Sequence, residues 1–179
     1  MNYNQLIKNW HHKASDEDYF SKYVFEYLSF TAYLRTQKYQ DSQNDRDVLQ
    51  RLKRENNLGD KYLESLGEDV KQSWVVLKNE FDTNGRLGNA SGLGNVEELK
   101  WWNCSCNNLD QQTEDDKRKI KGVFHSLNDW ENMVEFWRAI RDNLFHGSKD
   151  PEERRDKLVV EHGYKTLKPL VELLINENL

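Results

Sequence analysis

Apolar residues recur at three-and-four spacing along most of the chain, the pattern of helices that bury one face. Ser15-Asp16-Glu17-Asp18 offers a helix start with acids in the first turn. Tyr19, Phe20, Tyr23, Val24, Tyr27, Leu28, Phe30, Thr31 and Leu34 follow at that spacing, which predicts a long first helix running to about Gln40. Its apolar stripe is wide, as suits a helix at the centre of a bundle or in an oligomer interface. A second, shorter helix is expected from Asn44 to Asn57, with Val48, Leu49 and Leu52 inward and Gly59 as a left-handed cap. A third is expected from about Asp60 to Phe81 through Tyr62, Leu63, Leu66, Val70, Trp74 and Leu77, with Gly67 placed to bend it.

The periodicity then lapses. Glycine and asparagine alternate through residues 84–95 and favour turns, so about 82–95 reads as a flexible loop; it lacks the Gly-Lys-Ser/Thr ending of a nucleotide cradle. A short helix over Val96 to Trp102 and a polar stretch from Asn107 to Lys121 complete an irregular insertion, in which Trp101 and Trp102 read as lid or core aromatics. Regularity returns with a helix capped by Asn128 or Asp129. Its face reads Trp130, Met133, Val134, Phe136, Trp137, Ile140, Leu144 and Phe145, and Gly147 stops it. Asp150-Pro151-Glu152-Glu153 reads as the start of the last helix, with a capping aspartate and proline at the first helical position. That helix continues through Leu158, Val159, Leu167, Leu170, Val171, Leu174 and Ile175, with Gly163 and Pro169 as candidate kinks.

The expected fold is therefore all-α: a single-domain, up-and-down bundle of four to five main helices, with an irregular insertion before the penultimate one. With 179 residues the chain is long enough for one real core. Only 36% of residues are hydrophobic, but 6 Trp, 8 Tyr and 7 Phe make that core aromatic-rich. No apolar run reaches a membrane span and the amino terminus has no secretory character, so a soluble cytoplasmic protein is expected. Cys104 and Cys106 are too close in sequence to favour a mutual disulfide and too few for a structural zinc site, so they read as free thiols. No metal or cofactor is expected.

Charge is uneven. The formal net charge of -5 argues against bulk attraction to nucleic acid, yet residues 117–168 carry 12 Lys/Arg against 9 Asp/Glu. Within that basic portion lies Arg141-Asp142-Asn143-Leu144-Phe145-His146-Gly147. Arginine is a permanently charged fork of donors and histidine transfers protons near neutrality, a pairing suited to phosphate chemistry. On an ideal helix the two lie roughly 140° and about 7.5 Å apart, so one chain aims them poorly at a single phosphate. A twofold dimer would bring both copies to one cleft. His11, His12, His125 and His162 lack a comparable setting and read as surface or structural.

Arg141, four intervening residues and His146, with a polar residue after the arginine and Gly147-Ser148-Lys149 following, resemble the motif of the HEPN domain family of helical bundles. The resemblance covers about residues 128–175 and extends to the aromatic first helix. It implies metal-independent RNA cleavage, in which the ribose 2′-hydroxyl attacks the adjacent phosphate and leaves a 2′,3′-cyclic phosphate. His146 would move the proton, Arg141 would stabilise charge on phosphorus, and Asp142 or Asn143 would orient them. It further implies a homodimer with a composite site, a toxin, defence or stress-response role, and an antitoxin or regulatory protein as partner. Some HEPN toxins carry a modifiable tyrosine two residues after the histidine; Ser148 stands there instead. The alternative is a non-catalytic HEPN-like module that binds a nucleotide or a protein.

Overall fold

The computed structural model describes residues 2–15, 18–84, 130–146 and 149–178, and these form an all-α bundle without strands. Seven α-helices are described: α1 (Tyr3–Lys13), α2 (Tyr19–Tyr33), α3 (Asp45–Lys53), α4 (Asn56–Ser65), α5 (Glu68–Asn84), α6 (Trp130–Phe145) and α7 (Arg154–Asn178). The glycine-rich loop, the short helix at 96–102, the polar stretch after it, Cys104, Cys106 and His125 lie outside the described residues.

Helix α1 has no counterpart in the apolar periodicity. Asn2 caps it by accepting from the Gln5 amide at 3.2 Å, but the sequence Tyr3 to Lys13 is mostly polar and its order comes from contacts with α2. Ile7 is fully buried, Trp10 stacks on Phe25 with centroids 5.5 Å apart, and Ser29 Oγ donates to the Ile7 carbonyl at 2.9 Å. Packing, not propensity, stabilises so short a helix.

The first predicted helix starts later and ends earlier than its pattern suggests. Asp18, the last residue of the expected start, is the cap, accepting from the Phe20 and Ser21 amides at 2.9 and 3.3 Å. After Tyr33 the helix widens into a π-helical turn, Leu34–Lys38, closed by the Tyr39 amide donating to the Leu34 carbonyl at 2.7 Å. Tyr39 is buried and its hydroxyl donates to Glu55 at 3.1 Å.

Gly59 does not cap the second helix. It sits inside α4, buried, where a side chain would strike Trp130: an added Cβ would lie 2.8 Å from Trp130 Cγ. The anticipated third helix is likewise two, because the chain breaks at Leu66–Gly67 and the Gly67 carbonyl opens α5 by accepting from Val70 and Lys71 at 3.2 and 3.1 Å. At the last helix, Pro151 and Glu152 form a turn, so Pro151 is not the first helical residue and Asp150 is not the helix cap. Asp150 spends its carboxylate on the Glu152 amide at 2.8 Å, and Glu153 caps α7 by accepting from the Asp156 amide at 2.8 Å. Neither Gly163 nor Pro169 ends α7, which runs through both.

Helix α7 is the hub, packed against α2, α4, α5 and α6, while α1 lies on α2 and α3 lies on α6. Between them Trp74, Trp137, Tyr62, Phe30 and Phe136 are fully buried. Tyr62 and Trp137 meet edge-on at 5.7 Å and Trp74 meets Phe136 at 5.6 Å. Such pairs add about 0.5–1.5 kcal/mol each beyond the area they bury. Their polar atoms are spoken for: Trp137 Nε1 donates to Thr166 Oγ1 at 3.1 Å, Tyr62 donates to the Thr166 carbonyl at 2.7 Å, and Trp130 Nε1 donates to the Leu52 carbonyl at 3.0 Å. These bonds fix α6 in rotation, and so fix which of its residues face outward.

Candidate active site

Helix α6 turns Trp130, Met133, Val134, Phe136, Trp137, Ala139 and Ile140 into the core. At about 100° per residue, Arg138, Arg141, Asp142, Phe145 and His146 then share one stripe about 140° wide. The stripe is open: the side chains of Arg138, Asp142 and Arg141 are 29%, 29% and 37% exposed, and Phe145 and His146 are exposed outright. His146 follows the last helical residue, yet its amide donates to the Asp142 carbonyl at 3.0 Å, which continues the helical register through it.

Two of the four residues singled out from sequence come together. Arg141 donates to Asp142 Oδ1 at 2.9 Å, and its guanidinium lies 4.7 Å from the centre of the Phe145 ring, a cation–π contact. The His146 imidazole has no hydrogen-bond partner among the described residues and is open to solvent. Asn143 is buried, contacts neither Arg141 nor His146 through a hydrogen bond, and leaves its amide nitrogen without a partner. Of the two, Asp142 contacts the guanidinium and Asn143 does not.

Behind the stripe, Tyr23 and Tyr27 of α2 are buried against α6. Burial pushes both phenols well above their usual range; Asp142 adds to this and Arg141 opposes it, so both stay neutral at physiological pH. Tyr23 donates its hydroxyl to the Trp137 carbonyl. Beside the stripe, Phe20, Ser21, Val24 and Phe25 of α2 and Leu144 and Phe145 of α6 line an apolar groove of about 350 Å³. A larger hollow of about 390 Å³ lies at α4 and α5, lined by Leu63, Leu66, Trp74 and Val75 with Glu68 and Lys71. It brings together no acid–base constellation and lies on elements other than the motif helix.

Three further groups bear on the motif and escaped the sequence reading. Glu135 Oε2 accepts from Arg138 Nε at 3.0 Å, Arg138 reaches Asp142 Oδ2 at 3.3 Å, and buried Lys53 of α3 pairs with the other oxygen of Glu135. Spacings of three and four residues in Glu135, Arg138 and Asp142 were readable as same-face ion pairs. The Lys53 contact, made by a different helix, was not. On the far side of the motif, Lys149 is buried and paired with Asp156, whose second oxygen accepts from the Asp150 amide at 2.9 Å. Burial lowers the Lys149 pKa while Asp156 raises it, the burial effect being larger. This pair pins the chain three residues after His146.

Among the described residues no three His, Cys, Asp or Glu side chains cluster as metal ligands, and no helix is long and apolar enough to cross a membrane. Comparison of the chain with protein-family descriptions, curated proteins and solved structures finds no significant match in any of the three.

Proposed function

We propose that the chain is a HEPN-type endoribonuclease that works without a metal and acts as a toxin, defence or stress-response nuclease in the cytoplasm. The observation that carries this reading is a half-exposed arginine fork and an exposed, unpartnered imidazole on one open stripe of α6, in the Arg-x4-His register. His146 accepts the ribose 2′-hydroxyl proton as the 2′-oxygen bonds to phosphorus. The phosphorus–5′-oxygen bond breaks, and a protonated imidazole returns a proton to the departing oxygen. Arg141 stabilises the negative charge that grows on the phosphoryl oxygens. Asp142 holds the guanidinium, and the products are a 2′,3′-cyclic phosphate and a free 5′-hydroxyl.

The catalytic unit in this reading is a homodimer. Arg141 and His146 stand at opposite borders of the stripe, and twofold packing through it places the arginine of each copy near the histidine of the other. Phe145 is 57% exposed and flanks an apolar groove, a surface that a second chain would cover. An antitoxin or other regulatory protein would act at the same open face.

The Arg141–Asp142 pair favours one other reading, a non-catalytic module that binds a nucleotide or protein through this surface. Incubating purified protein with mixed RNA in chelator, then analysing the ends, separates the two. The nuclease reading predicts cyclic phosphate ends, with the rate reduced about 10²- to 10⁴-fold in His146→Ala and comparably in Arg141→Ala. Cleavage that chelator abolishes, or that both variants retain, contradicts it. Binding without cleavage supports the second reading.

A further inference from the structure

Arg138 has no part in the reaction described above, yet it stands in an unbroken row of charge that ends on Arg141. Lys53 pairs with Glu135, Glu135 with Arg138 at 3.0 Å, Arg138 with Asp142 at 3.3 Å, and Asp142 with Arg141 at 2.9 Å. The signs alternate, three cations to two carboxylates, so the row carries one uncompensated positive charge. Its inner end is dry: the Lys53 and Glu135 side chains are 6% and 7% exposed. Desolvation forces charges there to be paired, so the excess resides at the wet end, on the Arg141 guanidinium.

Each carboxylate in the row is divided between two cations. Asp142 can neutralise Arg141 only in part because Arg138 engages its other oxygen. Without Arg138 the row separates into two neutral pairs, Lys53–Glu135 and Asp142–Arg141, and the end that should meet an anion loses its net charge. We propose that Arg138 is a positioning residue that keeps Asp142 shared, and so keeps Arg141 receptive to an RNA phosphodiester. The inference rests on the proposed role of Arg141 and resolves a difficulty within it: an aspartate beside the phosphate-binding arginine would otherwise repel the substrate.

The test measures binding of a 2′-O-methyl RNA oligomer, which cannot be cleaved, alongside kcat and KM on unmodified RNA. Arg138→Ala should weaken binding and raise KM about tenfold, a loss in the range of one charge-assisted contact, with kcat little changed. Arg138→Lys, which keeps the charge, should stay close to the wild type. The discriminating variant is the double substitution Arg138→Ala/Asp142→Asn, which removes the carboxylate that would otherwise capture Arg141. It should bind better than Arg138→Ala alone, whereas a merely structural role predicts that losing a second ion-pair partner adds damage. Circular dichroism checks folding, and Arg138→Gln serves if the alanine variant does not fold. Wild-type binding by Arg138→Ala, or a double variant no better than the single, overturns the proposal. Arg141-dependent binding with this pattern but without cyclic ends would sink the nuclease reading and leave the inference standing; cleavage without the pattern would do the reverse. Absence of any Arg141-dependent binding would remove both.

Discussion

His11 illustrates how a single residue can be structural and still titrate. Its Nδ1 lies 2.8 Å from Glu26 Oε1, and Glu26 is fully buried with its second oxygen unpartnered. The Glu26 hydrogen bond raises the His11 pKa against the opposing effect of burial, with Glu172 adding and Lys168 subtracting smaller effects. Burial in turn raises the Glu26 pKa, His11 only partly offsetting it. Both folded-state values lie above the unfolded ones, so the folded chain binds more protons and the pair stabilises most at acid pH. The histidine's share is present in full below the unfolded histidine value and is lost as pH rises through the raised one, while the Glu26 share is lost in the same sense at lower pH, above the unfolded carboxylate value. Melting temperature should therefore fall as pH rises above the unfolded histidine range, and His11→Gln, which cannot titrate there, should flatten the slope. An unchanged slope in His11→Gln would show that other groups set it. His11 was expected to be surface or structural, but its partner lies 15 residues away on another helix, a contact no local pattern reveals. That Arg141, Asp142 and His146 share one face of α6 was legible because the motif is contiguous on one helix. Asn143 lies off that face for a local reason: its step along α6 turns it into the core.

Local patterns located α2, α6 and most of α7, where a wide apolar stripe runs unbroken. They misplaced ends where a tertiary contact overrode a local signal. Gly59 looked like a terminator because glycine usually is one outside a crowded core; here its missing side chain admits the Trp130 ring against α4. Gly59→Ala should accordingly destabilise the fold. Alanine gains about 1 kcal/mol of helix propensity, but overpacking against a rigid ring costs about 1–3 kcal/mol. The net loss would appear as a lower urea midpoint with an unchanged slope. A midpoint equal to or above that of the wild type would mean that Trp130 yields easily and that the close approach is not needed. Helix α1 was invisible to periodicity because it carries few apolar residues and depends on Ile7, Trp10 and His11 meeting α2. Pro169 and Gly163 do not divide α7, which tertiary packing on α2, α4, α5 and α6 holds continuous across both.

At the scale of the whole molecule, the core explains why the candidate chemistry sits where it does. Buried tryptophans lock the rotation of α6, so its remaining stripe must face outward, carrying Arg141, Phe145 and His146 to an open surface beside an apolar groove. One chain alone leaves the imidazole and guanidinium at opposite edges of that stripe. The account therefore stands on a second copy closing the face, and subunit complementation tests this most directly. Arg141→Ala and His146→Ala proteins should each be inactive on RNA, yet after mixing under conditions that exchange subunits they should regain cleavage with cyclic phosphate ends. The hybrid cleft then holds one arginine and one histidine, contributed by different chains. Mixed dimers verified by mass that remain as inactive as their parents, or a wild-type protein that cleaves as a monomer, would contradict the account.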